Sequence, residues 1–168
     1  MLVVPGIATQ WEISEDLRTT IFTIREGVKF HDGSDLTVED VVWSLNHYAG
    51  PTAPEYGLGS LSLRYGRKME KIVAGPGPDQ VSLTAKVAMP EYATYGSKGA
   101  GGQALTKVLP KREKMHDEAV ALAYDQNPIA AGLIQLVEHR AGEAMVFERF
   151  GDYYHLSLIH ISEPTRPY

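Results

Sequence analysis

Cysteine is absent from this chain. That one absence removes disulfide bridges, thiolate metal sites, a cysteine nucleophile and the acylated cysteine of a lipoprotein. Long apolar runs are missing as well, and nothing approaches the roughly 20 residues that span a bilayer. There is no basic stripe. Sixteen Lys and Arg stand against 21 Asp and Glu, for a net charge of −5, so nucleic acid is not an expected partner. The opening MLVVPGIATQ lacks a basic n-region and a long h-region and is not read as a secretory signal peptide. Neither HExxH nor GxSxG occurs. The six histidines, at 31, 47, 116, 139, 155 and 160, show no metal-ligand spacing. No metal and no cofactor is expected.

What remains is an ordinary globular composition, 43% hydrophobic and 22% charged over 168 residues. That suffices for one compact domain with a core. The most informative stretch is Phe22 to Tyr48, FTIREGVKFHDGSDLTVEDVVWSLNHY, which reads as strand, turn, strand, turn, capped helix. Apolar and polar residues alternate over Phe22–Arg25, and after Glu26-Gly27 the alternation resumes at Val28-Lys29-Phe30. His31-Asp32-Gly33-Ser34 has turn chemistry. Thr37 is placed as a helix N-cap with Asp40 three residues on, and Val41, Leu45 and Tyr48 follow on one face.

This stretch resembles the signature of the family 5 extracellular solute-binding proteins of ABC importers, close to F-x-L-R-x-G-V-K-F-H-D-G-x-P-L-T-A-E-D-V-V-F-S. Arg25, Gly27 to Gly33, Leu36, Thr37, Glu39 to Val42 and Ser44 fall in place without a gap, while Asp35 and Trp43 stand where Pro and Phe are usual. Gly6 to Ser14, GIATQWEIS, is similar to the family's opening strand, and Leu17 follows the next acidic pair where Gly is common. Val108-Leu109-Pro110-Lys111 resembles the I-V-P-K that precedes a helix. Asn127-Pro128-Ile129 resembles the start of N-P-I-G-T-G-P-Y, with Ala130, Ala131, Leu133 and Ile134 in place of its Gly, Thr, Pro and Tyr.

Further elements can be read from the pattern itself. Met69 to Ala74, the turn 75–79 and Val81 to Val87 read as a hairpin whose return strand buries Val81, Leu83, Ala85 and Val87. Ala49 to Gly66 and the glycine-rich Tyr95 to Gln103 read as loops; the latter lacks the GxxxxGK[ST] spacing of a phosphate cradle. Lys111 to Tyr124 can form a second helix with Met115, Ala119 and Leu122 on one face. Leu136 to Glu138 and Met145 to Phe150, turning around Gly142, read as a last hairpin.

The last thirteen residues, Leu156 to Tyr168, are of another kind. LSLIHISEPTR is the codon-by-codon translation of a transposon-end sequencing adapter, so residues 156–168 are set apart from the native protein and left out of the fold. Removing them takes away Glu163 and Arg166 and leaves the net charge unchanged.

The fold class expected is mixed α/β, largely antiparallel hairpins with two helices, a partial version of the type II periplasmic-binding-protein fold that the resemblance implies. By that resemblance residues 1–125 are the accessory subdomain of the first half, and 126–155 a hairpin returning to the first lobe. The implied function is non-enzymatic: capture of peptides or similar small solutes for a membrane permease, in the periplasm or at the cell surface, by a parent that acts as a monomer.

Two alternatives remain beside it, a stand-alone interaction domain and a small hydrolase using His31 and Asp32. Adjacent strand residues point to opposite faces, which disfavours that acid–base pair. Glu113, Asp117 and Glu118 beside Lys111, Arg112 and Lys114 read as a solvated helix face, and Trp11, Trp43 and Tyr48 as core rather than ligand-stacking aromatics. No catalytic, metal or ligand-binding residue is assigned.

Overall fold

The computed structural model describes residues 6–51, 66–89, 108–111, 122–124 and 126–154, with backbone alone at 48 and 49. Strand β1 (Ala8–Ile13) and strand β2 (Thr19–Ile24) form one antiparallel hairpin. Strands β3 (Met69–Ala74) and β4 (Gln80–Ala85) form another. Antiparallel pairing of β2 with β4 fuses them into one sheet in the order β1-β2-β4-β3. Helix α1 (Val38–Ala49) packs on the β3–β4 side. Strands β5 (Ile134–Arg140) and β6 (Ala144–Arg149) form a separate two-stranded sheet. This is the expected mixed α/β architecture built of antiparallel hairpins. No described helix is long and apolar enough to cross a membrane.

The β3–β4 hairpin follows its sequence closely. Val81, Leu83 and Ala85 are all buried, alternating with half-exposed neighbours, as one covered face requires. In its turn a Cβ at Gly75 would come within 2.6 Å of the Gln80 Cβ, so the two chains approach there without a side chain between them. The return strand ends at Ala85, not at Val87, which is exposed. Beyond Ala85 the chain leaves the ladder to run beneath the β1–β2 turn. Met89 donates its N–H to the Leu17 carbonyl (2.7 Å) and buries its own side chain there.

A second correction concerns Val28 to Phe30, which is not a strand. Phe30 donates to the Ser34 carbonyl (2.9 Å) and Leu36 to the Val28 carbonyl (2.8 Å), with a lone bridge between Lys29 and Asp35. The two short arms are bonded to each other across the turn and join no sheet among the described residues. Gly33 takes φ 82° in that turn, and the Lys29–Asp35 ion pair (2.6 Å) clips its outside. The alternation still marks the inward side chains: Val28, Phe30 and Leu36 are all buried in the core.

Helix α1 is held at its start and along its side. The Thr37 hydroxyl accepts the Asp40 N–H (3.3 Å) while Asp40 Oδ2 accepts the Thr37 N–H (2.8 Å), a complete capping box. Asp40 Oδ1 also accepts the Lys111 N–H at 2.7 Å. One turn on, the fully buried Ser44 donates to the Leu109 carbonyl (3.1 Å) and accepts the Leu109 N–H (2.9 Å). The segment 108–111 is thus paired to a helix face in place of a strand. Asn46 Nδ2 donates to Ile72 O (2.9 Å) on β3, and Val41 and Leu45 enter the core. Residues 122–124 are helical, where the second helix was expected to end; 112–121 lie outside the described residues. So do most of the 49–66 loop, the glycine-rich 95–103 loop and the tail.

This packing sets two expected outcomes. Ser44→Ala removes the one hydroxyl that pairs both the N–H and the carbonyl of buried Leu109 and is expected to cost about 2 kcal/mol in urea unfolding. Leu17, at φ 57°, is the described non-glycine residue held in the left-handed region. Leu17→Gly relieves that strain, offset in part by the freedom of glycine in the unfolded chain, for a net gain of roughly 0.5–1 kcal/mol, read from the same urea transition.

Candidate functional site

The residues that could carry chemistry are engaged in holding the chain. Asp32 Oδ1 accepts the Ser34 N–H (3.0 Å) and the Ser34 hydroxyl (2.6 Å), an Asx turn that shapes the 31–34 bend. His31 reaches the other way. Its Nε2 lies 3.0 Å from the Gly132 carbonyl, its backbone N–H donates to the Ala130 carbonyl (2.9 Å), and its ring meets Phe150 edge-on at 5.0 Å. With Nε2 donating to a carbonyl, the ring is the Nε2–H tautomer. Its Nδ1 is buried with no hydrogen-bond partner among the described residues. This adjacent pair therefore has two different partners, one local and one about 100 residues away in sequence.

The same region is gripped from a second side. Arg25 Nε donates to the Gly6 carbonyl (3.1 Å), and its guanidinium lies 5.3 Å from the centre of the Tyr154 ring. Burial pushes the Tyr154 phenol well above the usual tyrosine range, aided by Tyr153 beside it. At the opposite end of β1, the Ser14 hydroxyl (2.6 Å) and then the Arg18 N–H (3.0 Å) hold the Asp16 carboxyl below the ordinary carboxylate range.

A groove of about 540 Å³ opens between the end of β2, the start of α1 and the β3–β4 turn. Ile24, Leu36, Val38 and Pro78 line it, with Glu26, Glu39 and Asp79 on the acidic side and Arg25 as its cation. Its hydroxyl, that of Thr37, donates to Asp40 at 2.6 Å and is part of the helix cap. His31 is not among the lining residues. The groove can shelter an apolar group with a cationic end but presents no activated nucleophile.

The other singled-out residues are scattered. His47 stacks on Trp43 with centroids 5.1 Å apart and planes within 8°. His139 is exposed on β5, opposite Met145. Trp11 is half-buried on β1 against Phe22. The Tyr48 side chain, His116, His155 and His160 lie outside the described residues. Among the described residues no three His, Asp or Glu side chains converge on a point where a metal could sit. Sequence reasoning missed the Ser44–Leu109 pairing. The available signal was a small hydroxyl between Val41 and Leu45 on an otherwise apolar helix face.

The fold and sequence match known proteins. A sequence model described as bacterial extracellular solute-binding proteins, family 5 Middle, matches residues 3–168. The dipeptide-binding protein of Escherichia coli K12 is 26% identical over 163 residues, covering 90% of this chain and 30% of its own length. The periplasmic murein peptide-binding protein MppA of the same organism is 34% identical over 84 residues, 49% of this chain and 16% of its own length.

Among solved structures, NikZ from Campylobacter jejuni in complex with Ni(L-His) superposes with a TM-score of 0.70 at 23% identity. It is matched over 90% of this chain and 28% of its own. The oligopeptide-binding protein AppA from Bacillus subtilis in complex with a nonapeptide gives 0.67 at 23% identity, over 89% of this chain and 28% of its own. The chain thus spans less than a third of the length of these relatives.

The clasp between His31 and Gly132 predicts a specific loss. His31→Ala leaves the Gly132 carbonyl without its donor and removes the ring from Phe150. A decrease of roughly 1–3 kcal/mol in chemical denaturation is expected, where an exposed turn residue would change stability by less than 0.5 kcal/mol, about the surface norm.

Proposed function

Because the chain belongs to the bacterial extracellular solute-binding proteins of family 5, we propose that it is part of the substrate-binding component of an ABC importer. Such a component captures peptides or similar small solutes and delivers them to a membrane permease, in the periplasm or at the cell surface. Residues 1–125 form the accessory subdomain of its first half, and 126–155 the hairpin that returns to the first lobe. Residues 156–168 stay set apart as an adapter-encoded tail, although the family match runs through them. The family-length protein acts as a monomer and as a binder rather than an enzyme. The observation that carries this reading is the match of the family along residues 3–168, joined to a fold shared with NikZ and AppA over about nine-tenths of the chain.

The internal geometry supports a scaffolding part in that function. A two-lobed binder works because solute has higher affinity for the closed than for the open arrangement. Solute is then contacted from both sides, and a chain that spans 30% of the dipeptide-binding relative supplies part of one side. His31, Asp32, Asp40 and Ser44 are taken up by contacts within the chain, so they organise the fold and leave recognition to other residues.

Titration calorimetry of residues 1–155 against a panel of di- to pentapeptides is expected to give no micromolar binding. A dissociation constant in that range for these residues alone would overturn the reading that trapping solute needs the rest of the two-lobed protein.

A further inference from the structure

The chain contains a single Asp-Gly bond, Asp32-Gly33, and no Asn-Gly. An aspartate followed by glycine rearranges readily without an enzyme, because glycine puts no Cβ in the way of its own nitrogen. That nitrogen, once deprotonated, attacks Cγ of the aspartyl side chain, and water leaves as a cyclic imide closes. Water then opens the ring, and opening at the α-carbonyl routes the chain through Cβ and Cγ as isoaspartate. The water lost on closure is regained on opening, so neither oxidant nor co-reactant is needed.

Burial does not guard this bond, since Asp32, Gly33 and Ser34 are all exposed. The turn does. The Gly33 N–H, whose proton has to leave first, donates to the Phe30 carbonyl at 2.9 Å. The carboxyl that has to swing onto that nitrogen is turned forward instead, with Oδ1 accepting the Ser34 N–H (3.0 Å) and the Ser34 hydroxyl (2.6 Å). Attacking and attacked groups are thus held by different partners. Gly33 sits at φ 82°, the Phe30 N–H donates to the Ser34 carbonyl across the turn (2.9 Å), and the Lys29–Asp35 ion pair (2.6 Å) closes its mouth.

We propose that Asp32-Gly33 is a site of spontaneous isoaspartate formation gated by the 30–34 turn, which suppresses the reaction when closed and permits it when open. The rate is then the open-turn rate multiplied by the fraction of time the turn is open. The product carries an extra backbone carbon between residues 32 and 33. That lengthens the path closed by the Gly33–Phe30 and Phe30–Ser34 bonds, so the rearranged turn no longer fits them. His31, which reaches Ala130 and Gly132 from this bend, loses its fixed base as a result.

Prolonged incubation of the 168-residue chain near neutral pH tests this, read by peptide mapping that separates isoaspartyl from aspartyl peptides. Isoaspartate is expected at residue 32 ahead of every other aspartate, forming about tenfold more slowly in buffer than in urea. Ser34→Ala and Lys29→Gln loosen the turn without touching the reacting atoms. The first should speed the folded chain about threefold and the second by less, with the rates in urea unchanged. Hydrogen exchange of the Gly33 amide should quicken by the same factors. Three results overturn the proposal: equal rates in buffer and in urea; variants that quicken exchange at Gly33 but not isomerisation; or another aspartate rearranging ahead of Asp32.

Discussion

One buried carboxylate ties the start of α1 to a segment far along the chain. Asp40 is 8% exposed, and its two oxygens receive the Thr37 N–H, the Thr37 hydroxyl and the Lys111 N–H. A charged group this far from water is tolerable only when its lone pairs are filled by fixed donors. Here the donors come from the helix start and from a segment 71 positions later. The same carboxylate therefore begins α1 and anchors the chain that crosses it. Ser44, one turn along, repeats the arrangement with Leu109. Between them they satisfy the N–H and carbonyl of Leu109 and the N–H of Lys111 without a strand partner, and the apolar face of α1 closes over β3 and β4.

Half of that device could be read from the residues. Thr37 with Asp40 announces a capped helix, because short polar side chains three apart can exchange bonds with each other's backbone. Nothing local announces Lys111 as the third partner, since a backbone N–H carries no side-chain signature. The same limit governs the sheet. The alternation of Val81, Leu83 and Ala85 reveals a strand with one covered face, yet the pairing of β2 with β4 depends on where two hairpins meet in space. Val28 to Phe30 shows the reverse failure. Its period is that of a strand and its burial agrees, but the two short arms close on each other around Gly33 before they can reach a sheet.

Leu17 and His31 illustrate what residue identity alone leaves open. The turn after β1 demands a positive φ at position 17, and a leucine there has been driven into it by the bonds on either side. Its N–H donates to Ser14, and its carbonyl accepts from Met89. The fold imposes the conformation and the sequence merely tolerates it. His31 next to Asp32 has the look of an acid–base pair, and only the tertiary structure shows that the imidazole is turned to Gly132 and Phe150. No candidate ligand contact could be read from the sequence, and the groove at the start of α1 is assembled from three separated segments.

The cassette from residue 22 to 48 therefore identifies a family through its architecture. Thr37 and Asp40 cap the helix, Asp32 shapes a turn, and His31 and Ser44 clasp distant segments. Residues committed in that way are not free to recognise a solute as well, because freeing them would leave buried backbone groups without partners. In this chain that commitment is carried by Asp40, Ser44 and His31, whose partners lie 71, 65 and 101 positions away in sequence.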